Sequence, residues 1–209
     1  MAEQGKEANR LRQRKTPRQE RSIQRLEAIL DAVRRLIVAN GIGNLKMTEI
    51  AAEAGIPIGS LYQFFPEKAA VIRALHDDLT TRVERGTEQT FAEIRSIDAA
   101  ENLITQSVDR FYESFRENAI YLSVWRAAVS DRDLEPLNRL HFERMAAILS
   151  RVLLPLLPPG FKGDFEMRLT QMVHLSGSVV RFALSADEAT ARRALQEWKR
   201  TVKLTLFTL

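Results

Sequence analysis

Cysteine is absent from the 209 residues, which excludes a disulfide scaffold, thiolate metal sites and a cysteine nucleophile. Histidine is scarce. His76, His141 and His174 are the only ones, and no two stand at metal-ligand spacing, so no metal and no cofactor is expected. Glycine (9) and proline (7) are also few, which disfavours a turn-rich all-β fold and favours long helices. No apolar run approaches the ~20 residues that span a bilayer. The first residues are polar and carry no signal-peptide core, so the expectation is a soluble, cytoplasmic protein with no membrane partner. What remains is ordinary globular material, 45% hydrophobic and 28% charged, long enough for one large domain or two small ones.

The net charge of +4 is modest, but its distribution is not even. Lys6, Arg10, Arg12, Arg14, Lys15, Arg18, Arg21 and Arg25 are opposed only by Glu7 and Glu20. A basic stretch on a near-neutral chain points to an anionic polymer or surface. Residues 1–17 lack hydrophobic periodicity and end at Pro17, which predicts a flexible basic arm.

Helical periodicity begins at Arg18. Ile23, Leu26, Ile29, Leu30, Val33, Leu36 and Ile37 recur at three- and four-residue steps, and Asn40-Gly41 ends the run with Gly41 as a left-handed cap. A link with the buried-type Leu45 leads to a short helix over 47–54, which Gly55 breaks. A second short helix runs from Pro57, placed in its first turn, to about Phe64, and a long one from Glu67 toward Arg95. Helix, glycine turn, short helix is the helix-turn-helix pattern. Further helices are predicted over 98–118, 119–130, 133–154, 164–185 and 187–209, with Pro155 and Pro158-Pro159-Gly160 ending the third of these. No strand pattern and no internal repeat is present.

Helix 164–185 is apolar on two faces. Leu169, Val173, Ser176, Val180 and Ala183 form one; Met172, Leu175, Val179 and Phe182 form the other. Two faces need two partners. Ser176, Gly177 and Ser178 allow close helix approach, and Leu195, Trp198, Val202 and Leu206 repeat the theme in the last helix. A homodimer interface is expected at Met172, Leu175, Gly177, Val179, Phe182, Leu195, Trp198 and Val202; a central core helix in a monomer is the alternative.

The stretch richest in chemistry runs from Thr48 to Lys68. Small Gly59 and Ser60 stand near the start of the second short helix, where the backbone can approach a ligand closely. Leu61 and Phe65 point inward one turn apart, so Ser60, Tyr62 and Gln63 face outward with hydroxyls and an amide suited to phosphates and base edges. Phe64 and Phe65 read as core. Lys68 adds charge at the next helix start. The run from Leu26 to Leu75 closely resembles the DNA-binding domain of TetR-family transcriptional regulators. Its Gly59-Ser-Leu-Tyr-Gln-Phe-Phe-Pro-Glu-Lys68 is similar to that family's recognition helix and the start of its fourth helix. The resemblance covers about the first third of the chain; the remainder is similar only in length and helix count.

The resemblance implies an all-α protein. It would have a three-helix helix-turn-helix reader over 18–65 and a helical effector-binding and dimerisation domain over 66–209. It implies a homodimeric repressor on palindromic double-stranded DNA, released when a small-molecule effector moves the fourth helix. Ile58, Gly59, Ser60, Tyr62 and Gln63 match positions facing the major groove, Tyr62 and Lys68 match phosphate contacts, and Thr48 matches a DNA-touching position. Arg18, Arg21 and Lys46 are further phosphate candidates. The family commonly has threonine where Lys46 stands and serine where Pro57 stands, so neither helix gains a hydroxyl cap here.

Phe111, Phe115, Trp125, His141, Met145 and His174 are candidates to bound an effector cavity. Asp109 with Glu113 and Asp131 with Asp133 form acidic pairs, but no organising base, metal cluster or phosphate loop accompanies them, so no catalytic residue and no enzyme is expected. A ligand-independent architectural or interaction protein of the same fold is the competing reading.

Overall fold

A computed structural model of the chain describes residues 20–132, 134–158, 161 and 164–207. Helices are the only regular elements among the described residues. In chain order they form α1 (Glu20–Asn40), a 3-10 turn (Ile42–Asn44), α2 (Met47–Glu53), α3 (Ile58–Phe64), α4 (Lys68–Phe91), α5 (Ile97–Glu117), α6 (Ala119–Ser130), α7 (Glu135–Leu153), a second 3-10 turn (Leu154–Leu156), α8 (Phe165–Ser185) and α9 (Glu188–Phe207). The expected basic arm over 1–17 lies outside the described residues.

Two compact units divide the chain. The first comprises residues up to 79 together with 119–137, and the second comprises 80–118 and 138–209. The apolar stripe of α1 nucleates the first. Ile29, Leu30, Val33 and Ile37 are buried with Ile50, Leu61, Phe64, Phe65, Val71, Leu75 and, from α6, Val124. Ile23 does not join them. It is 45% exposed in the first turns of α1, ahead of the core that begins at Leu26, so periodicity overextended the buried face.

The turn between α2 and α3 is fixed by Gly55. Its φ is 65°, and its N–H donates to Ala52 O while Ile56 N–H donates to Ala51 O. These are the paired bonds of a Schellman ending. A Cβ at Gly55 would meet no neighbour, so the requirement is the positive φ itself. Gly41 also has positive φ (76°), but its ψ of 156° is not left-handed helical; the expected cap is instead an extended glycine conformation. Pro57 is likewise one position off. It is the N-cap of α3, with ψ 141°, and its carbonyl accepts from Ser60 and Leu61.

The second unit packs α5, α8 and α9 around Phe91, Ala100, Ile104, Leu149, Leu153, Phe165, Leu169, Met172, Val202 and Leu206. Two of its helix starts, those of α5 and α9, are capped by side chains. Asp187 accepts from Thr190 N–H and from the Thr190 hydroxyl at the start of α9. The backbone bond, then the hydroxyl, hold its carboxyl below the ordinary value. That contribution is present above the ordinary carboxylate pKa and is lost as pH falls through the lowered one. Ser96 Oγ accepts from Ala99 N–H, 3.2 Å, at the start of α5. Replacing Ser96 with Ala should lower stability by about 1 kcal/mol, read as a lower melting temperature. No change would mean that water satisfies that N–H equally well.

Candidate nucleic-acid interface

Burial sorts α3 into two faces. Leu61 and Phe65 are fully buried and Phe64 is 2% exposed, whereas Ile58, Gly59, Tyr62 and Gln63 are exposed and Ser60 is half-buried. The inward residues anchor α3 in the first-unit core, so the outward set is held on a rigid support. Thr48 is exposed in the first turn of α2.

The cations around this face have partners of their own. Lys46 is the N-cap of α2 without a side-chain cap bond, and its Nζ pairs with Glu49 at 3.1 Å. Both groups are exposed, so the pair is worth little and its ammonium can exchange to a phosphate. Lys68, the first residue of α4, donates from Nζ to the Gly43 carbonyl at 3.2 Å. That bond uses one of three ammonium hydrogens and leaves the charge unneutralised by this neutral acceptor. The Gly43 contact, 25 positions away, left no signal in the sequence. Arg35 of α1 bridges to Glu53 at the end of α2, which fixes the two helices against each other. Arg18 lies outside the described residues, and Arg21 is described only as backbone of α1.

The other predicted sites divide between the units. Trp125 is buried in the first unit. In the second, Phe111 and Phe115 stack edge to face at 4.7 Å, with Phe115 buried. His141 is buried and its Nδ1 lies 2.7 Å from Glu84, whose same oxygen accepts from Arg144 Nε at 3.0 Å. Glu84 and Arg144 were not singled out by sequence, since partners 57 and 60 positions apart share no local pattern. Met145 is half-buried, and His174 is exposed with its ring edge-on to Phe142 at 4.9 Å.

Of the acidic pairs, Asp109 binds Lys199 at 2.8 Å, Glu113 binds Arg116 at 2.7 Å, and Asp131 accepts from Leu134 N–H at 3.2 Å. Asp133 lies outside the described residues. No group of three His, Asp or Glu among the described residues could hold a metal, and no described helix is long and apolar enough to cross a membrane.

The N-terminal helices match the family described as bacterial regulatory proteins, tetR family, over residues 29–75. Residues 98–209, more than half of the chain, match the tetracyclin repressor-like C-terminal domain. The chain belongs to the TetR family. The TetR matches are transcriptional regulators rather than enzymes. One relative is the HTH-type transcriptional regulator EthR of Mycolicibacterium smegmatis, 30% identical over 109 residues, 49% of each chain. The chain thus aligns with about half the length of that relative. Among solved structures, the transcriptional regulator SCO7518 of Streptomyces coelicolor A3(2) superposes with a TM-score of 0.69 at 19% identity, covering 88% of this chain and 99% of that one. SmeT in complex with triclosan superposes with a TM-score of 0.60 at 18% identity, covering 88% of each chain. SmeT is the repressor of the Stenotrophomonas maltophilia multidrug efflux pump SmeDEF. These two likenesses establish the TetR fold.

Proposed function

We propose that this TetR-family chain is a sequence-specific transcriptional repressor that binds a palindromic operator as a homodimer and is released by a small molecule. The supporting observation is the outward face of α3, where Tyr62 and Gln63 project from a helix clamped by Leu61, Phe64 and Phe65. Residues 18–65 read DNA and 66–209 bind the effector and the second subunit. Tyr62, Lys68, Lys46, Thr48, Arg18 and Arg21 hold phosphates; Ile58, Gly59, Ser60 and Gln63 face the bases. Gln63 carries an amide that pairs with adenine N6 and N7.

These roles separate on a salt series. Lys68→Ala should weaken all sequences alike and reduce the salt slope by about one unit per phosphate contact. Tyr62→Phe removes a neutral hydroxyl, so affinity should fall with little change in slope. Gln63→Ala should relax preference at one operator position by about 1–3 kcal/mol at unchanged slope. Fluorescence anisotropy on the operator and its single-base variants measures all three. Equal weakening of every sequence by Gln63→Ala, or altered base preference in Lys68→Ala, contradicts the assignment.

The effector site lies in the second unit, with Phe111, Phe115, His141, Met145 and His174 as its contacts. Aromatic faces beside a histidine suit an aromatic ligand with a polar group, and SmeT, of the same fold, holds triclosan. Release requires tighter binding to the state that does not hold DNA. The dimer forms on the outward face of α8. Leu175 and Phe182 are exposed there and Val179 is half-buried. Met172, Gly177, Leu195 and Val202 are buried inside the unit, and Trp198 donates from Nε1 to Ser176 Oγ at 2.9 Å. The four buried residues therefore support the interface from behind, and half-buried Trp198 stays among its contacts.

A further inference from the structure

We propose that Ile58 reads a thymine through its C5-methyl group, making an apolar contact the specificity element at the start of α3. The inference rests on the DNA-reading role proposed above and names the base feature that one residue recognises.

Two observations on one exposed face carry it. Ile58 is a β-branched apolar residue with 39% of its surface exposed, one helical turn from Tyr62 at 43%. The core beneath α3 is filled by Leu61, Phe64 and Phe65, so the fold makes little use of the Ile58 side chain. Beside it stands Gly59, in the first turn of α3, where glycine is still a weaker helix former than alanine. Its φ is not positive, and a Cβ built there would meet nothing within 4 Å. Neither backbone conformation nor packing within the chain accounts for that glycine. An outside surface approaching the helix closely accounts for it, and the same approach covers Ile58.

The chemistry then selects the partner group. Ile58 has no hydrogen-bonding side-chain atom, so it distinguishes bases only by shape and apolar contact. In the major groove the thymine C5-methyl is the one apolar feature that sets a base pair apart. Gln63, also exposed on α3, supplies the hydrogen-bonding complement. An operator half-site read by this pair therefore contains a thymine whose methyl, and not its carbonyl, is recognised.

The experiment starts from duplexes enriched by the full-length protein out of a random library. Each thymine of the enriched sequence is replaced in turn by deoxyuridine, in both half-sites together. This removes the methyl and leaves every hydrogen-bonding edge intact. Anisotropy should show one thymine per half-site at which the wild type loses about 3–10-fold in affinity. Ile58→Ala should bind the parent duplex with that same loss and show no further effect of deoxyuridine there. Ile58→Val, which keeps a branched apolar group, should retain part of the sensitivity. Alanine is the better helix former and position 58 is exposed, so an unchanged circular dichroism spectrum accompanies the loss. Binding by the wild type that is indifferent to deoxyuridine at every position overturns the Ile58 assignment alone. So does full sensitivity retained in Ile58→Ala. Failure to enrich any duplex overturns the DNA-reading role itself and this inference with it.

Discussion

Phe182→Glu is expected to convert the protein into a monomer at micromolar concentration and to weaken operator binding by about 100-fold or more. Phe182 is 54% exposed, and Leu175, seven residues earlier, is 43% exposed. With half-buried Val179 they form one stripe of α8, about a quarter turn around the helix from the buried Leu169, Val180 and Ala183. The stripe is therefore apolar surface that the chain's own core leaves uncovered. A two-fold interface is self-complementary, so a single substitution places two carboxylates in it. Burying either without a partner costs several kcal/mol. Operator affinity falls because two joined readers bind the second half-site as an intramolecular event, and separated readers do not. Position 182 lies in the last turn of α8, where a negative charge also opposes the helix dipole by about 0.3–1 kcal/mol. Leu175→Glu, farther from that end, avoids this contribution and should have the same outcome. Sedimentation velocity and anisotropy provide the two readouts. A dimer that persists in both variants would move the interface away from this stripe.

How much of this was legible in the sequence depends on the range of the interaction. Periodicity located the helices to within a few residues, and the inward placement of Leu61 and Phe65 followed from their one-turn spacing. The two apolar faces of α8 were also legible. Which of them faces inward was not, because a 3.6-residue repeat gives directions and names no partner. The structure buries the Leu169, Val180, Ala183 face along with Met172, and leaves Leu175 and Phe182 outside. Backbone details failed where a residue constrains only one dihedral. Proline sets φ near −65° at an N-cap and in a first turn alike, and only the ψ of 141° places Pro57 at the cap. Gly41 was read correctly as a positive-φ position and wrongly in ψ, because a residue without Cβ leaves both dihedrals open. The bridges from Glu84 to His141 and Arg144, and from Lys68 to Gly43, join residues with no local spacing rule, so no one-dimensional pattern announces them.

Phe65→Ala should remove about 3–5 kcal/mol from the first unit, the scale of a buried phenylalanine truncation. Domains carry only about 5–15 kcal/mol in all, so this is a large share of the margin and DNA binding should weaken as the unfolded fraction grows. Phe65 has no exposed surface and belongs to the cluster of Ile29, Val33, Ile50, Leu61, Val71 and Leu75. Its backbone is also committed. It is the C-cap of α3, and its N–H donates to Leu61 O at 2.9 Å. Relaxation into the vacated volume would therefore have to move the helix that carries Tyr62 and Gln63. The two tryptophans divide between the units, Trp125 in the first and Trp198 in the second. A Trp198→Phe background leaves Trp125 as the sole fluorescence reporter of the first unit. With urea m-values of about 1–3 kcal/mol per molar, its midpoint should fall by roughly 1–5 M on introducing Phe65→Ala. Exposed Tyr62→Phe in the same background should move it by less than about 0.5 kcal/mol equivalent. The pair thus separates a residue that supports the reading helix from one that uses it. Saturating operator duplex should recover part of the Phe65→Ala loss, since a ligand of the native state stabilises by mass action. A Trp125 midpoint unchanged by Phe65→Ala would mean that Phe65 does not anchor α3, and the rigid support proposed for the reading face would have to come from elsewhere.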